Sequence, residues 1–501
     1  MLSEKFSAGR WEDNSMQTKT ENQNQEKKHF FTLSEFRREI GVPLILAKKL
    51  IVWGEVEAVK TADGTLKIAH SEIAAAKKIL KNPYKKTRYF FRALGPGLIT
   101  GASDDDPSGI GTYSSVGAQF GLSIIWMAAW LLPVMLAVQE VCARIGIVTN
   151  QGLAGVLQKH YRKKIVAIAV AFLIIANVVN IGADLGAMAA ALSMLTHLNF
   201  YIGAIFFALL SIAIEIFVGY HYYVKFLKWL AFSTLTYVFA GFIIHPDWRE
   251  VFHWTFLPQI EFNKNYVFAI MAVFGTTITP YLFFWQASEE VEENKLARKL
   301  LCPKKDYFLR SKIARMRTDV GTGMILANVV FFFIVLTTAQ VFFKNGVNSI
   351  ETAEQAALAL RPLAGDYAYF LFAAGIIGTG LLAVPILAGS GAYALAEIMK
   401  WHEGLELKFT RAKGFYLVII FSVLVGLALN FFHINPILAL YYSAFLNGII
   451  ALPLLIAIMI VGDDKKIMGE ETHPHWVKFF GWLAIFFMIA SALVLLFLWL
   501  K

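Results

Sequence analysis

Cysteine and charge are scarce in this sequence, and each scarcity excludes a class of protein. The 501 residues include two cysteines, Cys142 and Cys302. Two widely separated thiols provide neither a disulfide framework nor a cysteine metal cluster. Charged residues make up 16% of the chain, well below the roughly 25% that is usual in soluble domains. An ordinary soluble domain is therefore excluded.

Long apolar runs are abundant in the sequence. Hydrophobic residues make up 57% of the chain, and apolar runs of nearly 20 residues recur, as at 204–220 and 482–500. Each run is long enough to cross the hydrocarbon core as a helix, so the sequence predicts a polytopic protein embedded in a lipid bilayer. The net charge of +10 is expected to come from basic loops, and no nucleic-acid partner is expected.

Composition divides the chain into three parts. Residues 1–28 are polar and are predicted to be a disordered cytoplasmic tail. Residues 29–90 mix apolar and charged positions and are predicted to be a small cytoplasmic extension, with a β-hairpin turning at Asp63 and Gly64. Residues 91–501 are predicted to be a transmembrane domain of about eleven helices. The candidate spans are 94–120, 123–148, 165–195, 201–220, 226–245, 266–288, 319–343, 367–397, 414–431, 437–461 and 478–500.

Loop charges determine the predicted orientation. Lys and Arg cluster in alternate loops, namely 82–88, 158–164, 224–228, 297–317 and 408–413. Positive loops stay on the cytoplasmic side, so an even number of spans must separate 82–88 from 158–164. Segment 94–120 must therefore cross the membrane. The N-terminus is then predicted to be cytoplasmic and Lys501 outside, in the plasma (inner) membrane.

The first span contains three consecutive carboxylates, Asp104, Asp105 and Asp106, followed by Pro107. A carboxylate inside the bilayer is costly and usually faces a cavity or an ion path. Pro107 and nearby glycines weaken the helix, which is predicted to unwind near 103–109. The freed carbonyls and the carboxylates are the oxygen ligands that a divalent cation needs. In the alternative interpretation, Asp106 only caps a helix that begins at Pro107.

A second interruption lies in the sixth span, where Thr279 and Pro280 follow Gly275, Thr276 and Thr277. The sixth span is five positions after the first, an odd offset, so the two breaks occur in helices of opposite orientation. Paired broken helices of this kind predict an inverted repeat with a substrate site near the midplane.

Four other acids lie in or beside apolar runs. Asp184 is deep within the third span, where a proton path and a helix–helix hydrogen bond are equally consistent with the sequence. Glu215 and Glu397 lie at the edges of apolar runs and are predicted to snorkel or pair near the interface. Glu140 and Arg144 are four residues apart near a helix end, and this spacing predicts a structural ion pair.

Several segments of the sequence resemble the NRAMP family of divalent-metal transporters. They include "GPGLITGASDDDPSG" (95–109), "QEVCARIGIVTNQGLA" (139–154), "GTTITPYLFFWQAS" (275–288) and "LPLLIAIMIVGDDKKIMG" (452–469). The resemblance covers the chain from residue 90 to residue 470. It implies an all-α polytopic membrane protein with the leucine-transporter-like fold, in which two inverted five-helix repeats are followed by an eleventh helix. Helices 1 and 6 are discontinuous in that fold.

The family's first-helix signature is Asp-Pro-Gly-Asn. It corresponds here to Asp106, Pro107, Ser108 and Gly109. The resemblance implies that Asp106 binds the metal and that Gly109 stands where the family has an Asn ligand. Asp104 and Asp105 are additional candidate ligands.

The family's sixth-helix signature, Met-Pro-His, corresponds here to Thr279, Pro280 and Tyr281. The resemblance therefore puts Thr279 in place of the metal-binding Met, and Tyr281 in place of the His associated with proton movement. It places the family's backbone carbonyl ligand on Thr276. The acid that the family uses in proton coupling falls on Asp184.

Loss of the thioether leaves a candidate site made of oxygen atoms. A thioether favours transition metals, whereas an all-oxygen site suits Mg²⁺ or Mn²⁺. The sequence thus resembles the NRAMP-related subgroup that lacks the Met. Its expected substrate is Mg²⁺ ahead of Mn²⁺, taken up by alternating access, and loss of the His argues against proton coupling.

Two alternatives have the same fold. One is a proton-coupled transition-metal importer, and the other is an ion-coupled carrier of organic solutes. The carboxylates at the first break would repel a substrate carboxylate, which argues against the second. The sequence has no Walker A, HExxH or nucleophile-elbow pattern in a convincing context, so we expect neither an enzyme nor a cofactor.

Overall fold

A computed structural model describes residues 30–42, 47, 50–51, 56, 58–60, 66–81, 95–218, 232–301, 305–405, 407–432 and 434–500. The chain divides into two compact units, residues 1–94 with Lys305–Lys312, and the rest of the chain. The predicted disordered tail, residues 1–28, lies outside the described residues.

The N-terminal unit contains a three-stranded antiparallel sheet. Its strands are β1 (Phe30–Thr32), β2 (Ala58–Lys60) and β3 (Leu66–Ala69), in the order β1-β3-β2. Strands β2 and β3 pair antiparallel, as the predicted hairpin requires. The turn predicted at Asp63 and Gly64 lies outside the described residues.

Two helices, α1 (Leu33–Ile40) and α2 (His70–Lys81), accompany this sheet. A capping box precedes α1, in which Thr32 and Glu35 each accept a hydrogen bond from the other's backbone N–H. The unit has its own apolar cluster, whose buried members are Phe36, Ile40, Ala47, Leu50, Val56, Ile68, Ile73 and Ala76. Burial of these side chains stabilises the unit.

From residue 95 onwards, the described chain is helical. Its helices are α3 (Pro96–Asp104), α4 (Pro107–Phe120), α5 (Trp126–Thr149), α6 (Leu153–His160), α7 (Lys163–Thr196), α8 (Phe200–Phe217), α9 (Thr236–Ile243), α10 (Trp248–Phe256), α11 (Lys264–Thr277), α12 (Pro280–Leu301), α13 (Lys305–Val341), α14 (Ala353–Ala357), α15 (Arg361–Ala364), α16 (Ala368–Met399), α17 (Lys413–Leu429), α18 (Pro436–Asp463), α19 (Lys465–Met468) and α20 (His475–Leu500). Short 3-10 helices lie at Gly121–Ile124, Phe232–Leu235, Phe343–Asn345, Leu358–Leu360, Gly365–Tyr367 and Asn430–Phe432.

Within the described residues, nine helical segments are long and apolar enough to cross a membrane. They correspond to nine of the predicted spans. The first predicted span is present as two shorter helices, α3 and α4, and the fifth is described from residue 232 onwards, with helical residues 232–243. The predicted all-α, polytopic architecture is therefore confirmed.

The helices differ in how much of their apolar surface the bundle covers. The most apolar part of the segment formed by α11 and α12 is 94% buried, whereas that of α20 is 22% buried. Most residues of α3 and α4 are also buried. The two broken helices thus lie inside the bundle, and α20 has an apolar surface suited to lipid.

Glycines let the broken helices approach their neighbours closely. Gly101 of α3 packs against Gly323 of α13, and Gly275 of α11 packs against Gly448 of α18. A Cβ at Gly101 or Gly275 would overlap the neighbouring backbone. Small residues permit such contacts between membrane helices, and these contacts fix the first half of each broken helix.

Asp319 of α13 caps the first turn of α3. Its carboxylate accepts hydrogen bonds from the backbone N–H groups of Gly95 at 2.8 Å, Gly97 at 2.9 Å and Leu98 at 3.2 Å. The first N–H groups of a helix have no partner within it, and negative charge there is stabilising. A residue distant in sequence therefore fixes the start of the first broken helix.

The predicted ion pair between Glu140 and Arg144 is present, and both side chains are buried. Arg317 Nε bonds the same Glu140 carboxylate at 2.9 Å, and Arg144 Nη1 lies 3.7 Å from Glu471. His473 lies near this group, and burial lowers the pKa of its imidazole to about 4 because the charged form is poorly solvated there. These ion pairs connect α5 and α13 to the segment that precedes α20.

Candidate metal centre

The first span unwinds where the aspartates lie. Helix α3 ends at Asp104 and α4 begins at Pro107, so Asp105 and Asp106 separate the two helices. Asp106 has extended backbone angles, and Pro107 is the first residue of α4, where its missing N–H breaks no hydrogen bond. The predicted break is confirmed, and it is shorter than the interval 103–109.

Asp106 accepts three hydrogen bonds from neutral donors. Its Oδ1 accepts from the Gly109 N–H at 2.7 Å and from Ser108 Oγ at 2.8 Å. Its Oδ2 accepts from Asn180 Nδ2 at 3.2 Å and lies 3.4 Å from the Tyr281 hydroxyl. The Oδ1 bonds cap α4, as the alternative interpretation requires. The Oδ2 contacts reach α7 and α12, which a cap does not need.

Asp104 and Asp105 are buried beside Asp106 and have unsatisfied oxygens. The three residues are 1%, 4% and 2% exposed, respectively. In the described part of the chain, both carboxylate oxygens of Asp104 and Oδ1 of Asp105 lack hydrogen-bond partners. Buried polar atoms without partners are costly, and a bound cation would satisfy them.

The three aspartates do not converge on one point in this structure. Among the described residues, no group of three or more His, Cys, Asp or Glu side chains could hold a single metal ion. A metal ion at this position would therefore have at most two carboxylate ligands. Hydroxyl, backbone carbonyl or water oxygens would complete its coordination.

The sixth span unwinds opposite the first. Helix α11 ends at Thr277 and α12 begins at Pro280. Between them, Thr279 is buried, and its Oγ1 has no hydrogen-bond partner among the described residues. Thr276 Oγ1 would lie 3.4 Å from a Cβ placed on Gly109. The two breaks thus face each other and bring Thr276 to the first helix.

The structure explains why glycine occupies position 109. A Cβ on Gly109 would lie 2.9 Å from the Asp104 carbonyl oxygen and 3.4 Å from Tyr113 Cε2. The first distance is too short for a real Cβ, so a side chain here would push apart the two halves of the first span. Gly109 therefore contributes its backbone, whose N–H bonds Asp106.

Tyr281 connects the two breaks. Its hydroxyl donates to the Ser103 carbonyl at 2.8 Å and lies 3.4 Å from Asp106 Oδ2. The side chain is 1% exposed. A phenol is a hydrogen-bond donor that does not become cationic, unlike an imidazole, so Tyr281 provides a neutral group where the family has His.

Two amides that the sequence analysis missed link Asp184 to this site. Asn180 Nδ2 of α7 donates to Asp106 Oδ2 and to Asp184 Oδ2, each at 3.2 Å. Asn447 Nδ2 of α18 donates to Asn180 Oδ1 at 3.2 Å. Asn180 could have been found from its position one turn before Asp184. Nothing in the sequence points to Asn447.

The prediction that Glu215 snorkels or pairs near the interface is wrong. Glu215 is 5% exposed, and within the described residues neither of its carboxylate oxygens has a hydrogen-bond partner. It faces the backbone of Gly389 in α16, because this side of α8 is turned towards the bundle. Glu397, by contrast, is paired, since it accepts from the Gly155 N–H at 2.7 Å and from Ser288 Oγ at 3.3 Å.

Replacing Glu215 by Met should stabilise the protein. Met has a similar length and leaves no buried polar atom unsatisfied, so the free energy of unfolding should rise by about 1–3 kcal/mol. Thermal melting in detergent measures the change. The control is Glu397→Met, which should lower the melting temperature because it deprives two donors of their acceptor. A lower melting temperature or lost transport in Glu215→Met would show that this carboxyl group has a ligand.

The fold and the site together define a class of protein. Membrane-crossing helices hold two broken helices face to face, and buried carboxylates, hydroxyls and amides meet at the breaks. Paired broken helices of this kind are typical of secondary transporters.

The sequence also identifies the family. The profile of the Nramp family, described as "Natural resistance-associated macrophage protein-like", matches residues 97–498. The chain belongs to this family and is an integral, multi-pass membrane transporter, not an enzyme. The family that the motifs indicated is therefore confirmed.

Similar proteins cover most of the chain. The "Divalent metal cation transporter MntH" of Caldanaerobacter subterraneus subsp. tengcongensis is 27% identical over 440 residues, which are 85% of this chain and 97% of that protein. The protein of the same name from Klebsiella pneumoniae subsp. pneumoniae is 23% identical over 403 residues, covering 79% of this chain and 92% of its own length.

A solved structure supports the fold. The Eremococcus coleocola manganese transporter, crystallised with an aromatic bis-isothiourea substituted compound, matches with a TM-score of 0.65 and 16% identity. The match covers 82% of this chain and 87% of that one. At this identity the likeness concerns the fold alone.

Proposed function

We propose that this protein carries divalent metal cations across the membrane and prefers Mg²⁺ to Mn²⁺. One observation carries the proposal: the groups that meet at the two breaks are oxygen donors, with Asp106 opposite the hydroxyl-bearing residues Thr276 and Thr279. Oxygen ligands suit hard cations, and a soft ligand that would favour a transition metal is lacking among these residues.

The unsatisfied oxygens support a cation as the substrate. Asp104, Asp105 and Thr279 have buried oxygen atoms for which the described residues provide no donor. A divalent ion at the breaks would interact with such atoms directly or through its own water molecules. Mg²⁺ dehydrates reluctantly and usually keeps several waters, so it does not need three converging carboxylates.

We further propose uptake by alternating access without obligatory proton transport. The neutral Tyr281 hydroxyl lies 3.4 Å from Asp106 Oδ2, at the position where the family has a His associated with proton movement. A membrane potential that is negative inside favours entry of each divalent charge and suffices to drive uptake. The orientation that goes with this proposal has the N-terminus in the cytoplasm and Lys501 outside, in the plasma (inner) membrane.

A proton-coupled importer of transition metals is the second candidate. The observation that favours it is the position of Asp184, a buried acid linked to Asp106 through a single amide. On this candidate Asp184 is part of a proton path. The relatives named MntH are divalent metal cation transporters, which agrees with either candidate.

Uptake into proteoliposomes distinguishes the two candidates. Vesicles that contain a Mg²⁺-sensitive or a Mn²⁺-sensitive dye should fill with both metals, with a higher kcat/KM for Mg²⁺, when the interior is made negative. Internal pH, followed in parallel, should stay constant. Protein-free vesicles are the control. Acidification in step with metal entry would favour the proton-coupled importer, and uptake of Mn²⁺ alone would refute the Mg²⁺ preference.

A further inference from the structure

Asn180 occupies an unusual position between two acids. Its Nδ2 amino group lies 3.2 Å from Asp106 Oδ2 and 3.2 Å from Asp184 Oδ2. An amide nitrogen has two hydrogens, so it can donate one to each carboxylate at the same time. Asn180 and Asp184 are fully buried and Asp106 is 2% exposed, so water does not compete for these bonds.

Asn447 determines which way the Asn180 amide points. Its Nδ2 donates to Asn180 Oδ1 at 3.2 Å. The reverse orientation would place Asn180 Oδ1 against two carboxylates and would turn its amino group towards another amino group. Both contacts would then be repulsive, so the three partners together allow one orientation.

We propose that Asn180 is a positioning residue for the metal centre and that Asn447 acts through it by fixing the orientation of its amide. The inference rests on the proposed function, in which Asp106 is a metal ligand. Asn180 then holds Asp106 Oδ2 in place before the metal binds. It also connects the first broken helix, α3 with α4, to α7 and α18.

Entry of a metal ion does not require this arrangement to break. Asp106 Oδ1 accepts two hydrogen bonds, whereas Oδ2 accepts one, from Asn180, because the Tyr281 hydroxyl gives its single hydrogen to the Ser103 carbonyl at 2.8 Å. A carboxylate oxygen has room for a second partner, so a cation can bind Oδ2 while Asn180 stays in place. Asn180 therefore supports Asp106 both before and after the metal binds.

A double-mutant cycle on transport tests the proposal. Asn180→Leu should raise KM for the metal about tenfold, because hydrogen bonds to carboxylates are strong. Asn447→Leu should raise KM about threefold, since the Asn180 amide can then turn. If Asn447 acts through Asn180, adding Asn447→Leu to Asn180→Leu should change KM no further. Asn447→Gln, which retains a donor amide, should restore part of the affinity.

The measurement is the initial rate of uptake into proteoliposomes against Mn²⁺ concentration, with Mg²⁺ in a parallel series. The matched control is Ser443→Ala, one turn from Asn447 on α18, because the Ser443 hydroxyl bonds only the Leu440 carbonyl of its own helix among the described residues. This variant should keep the wild-type KM. Melting temperatures of all variants separate loss of folding from loss of affinity.

The outcomes are distinguishable. Independent, multiplicative effects of the two Leu substitutions on KM would overturn the proposal, as would a KM for Asn447→Leu equal to that of wild type. Either result, with normal uptake by the wild-type protein, leaves the proposed function intact. Wild-type protein that carries neither Mg²⁺ nor Mn²⁺ would overturn the proposed function and this inference with it.

Discussion

Asp106→Asn should abolish metal uptake even though the variant keeps the cap of α4. Asn and Asp cap helices equally well, because the side-chain oxygen of either accepts the N–H that Gly109 now donates. The substitution removes the negative charge and leaves a neutral amide at the break. A divalent ion then loses its best ligand, and we expect kcat/KM to fall by about a hundredfold or more, roughly 3 kcal/mol of lost stabilisation.

Dye-loaded proteoliposomes measure this loss for Mg²⁺ and for Mn²⁺. Asp247→Asn is the matched control, because Asp247 caps α10 through the Arg249 N–H at 2.9 Å. It should transport like the wild type. Asp106→Ala, which loses cap and charge together, should be inactive and also less stable by about 1 kcal/mol. Transport by Asp106→Asn at the wild-type rate would show that Asp106 is a cap and not a ligand.

Thr279→Met should change the preference between metals. The substitution introduces a thioether at the second break, where the buried Thr279 hydroxyl has no hydrogen-bond partner among the described residues. A thioether is a poor ligand for Mg²⁺ and a better one for softer transition metals. We expect the ratio of kcat/KM for Mg²⁺ to that for Mn²⁺ to fall at least about tenfold, which corresponds to roughly 1.4 kcal/mol.

Competition uptake with both dyes measures that ratio. The matched control is Thr277→Val, since the Thr277 hydroxyl bonds the Val273 carbonyl of its own helix at 2.8 Å. Its metal preference should not change. Thr279→Val separates the effects of losing the hydroxyl and gaining the sulfur, because it removes the oxygen at constant shape. An unchanged Mg²⁺ to Mn²⁺ ratio in Thr279→Met would exclude position 279 from the metal's coordination.

Much of this fold could be predicted because the relevant signals are local. Apolar runs of sufficient length predict nearly all the spans. The reason is that a segment in the bilayer must form a helix, in which every backbone group is hydrogen-bonded within the segment. The breaks were predictable for the same reason. Pro107 and Pro280 cannot donate to a preceding turn, and the acids beside Pro107 have no place on a lipid-facing helix.

Side-chain partnership between helices could not be predicted. The position of Glu215 at the edge of an apolar run predicts a side chain near the interface, but the rotation of α8 turns it towards Gly389. Periodicity does not determine which face of an apolar helix meets its neighbours when all of its faces are hydrophobic. For the same reason the sequence does not reveal the role of Asn447, since its partner Asn180 lies on another helix far away in the chain.

The sequence by itself determined the membrane class, the positions of both breaks, the family and the residue types of the candidate centre. These features depend on composition and on short motifs, which do not change with packing. Only the tertiary structure decided that the two breaks face each other and that Gly109 leaves no room for a side chain. It also decided that Asn180 donates to Asp106 and that Asn447 orients the Asn180 amide. Those contacts depend on helix rotation and on the distance between helices, which side chains from distant parts of the chain determine together.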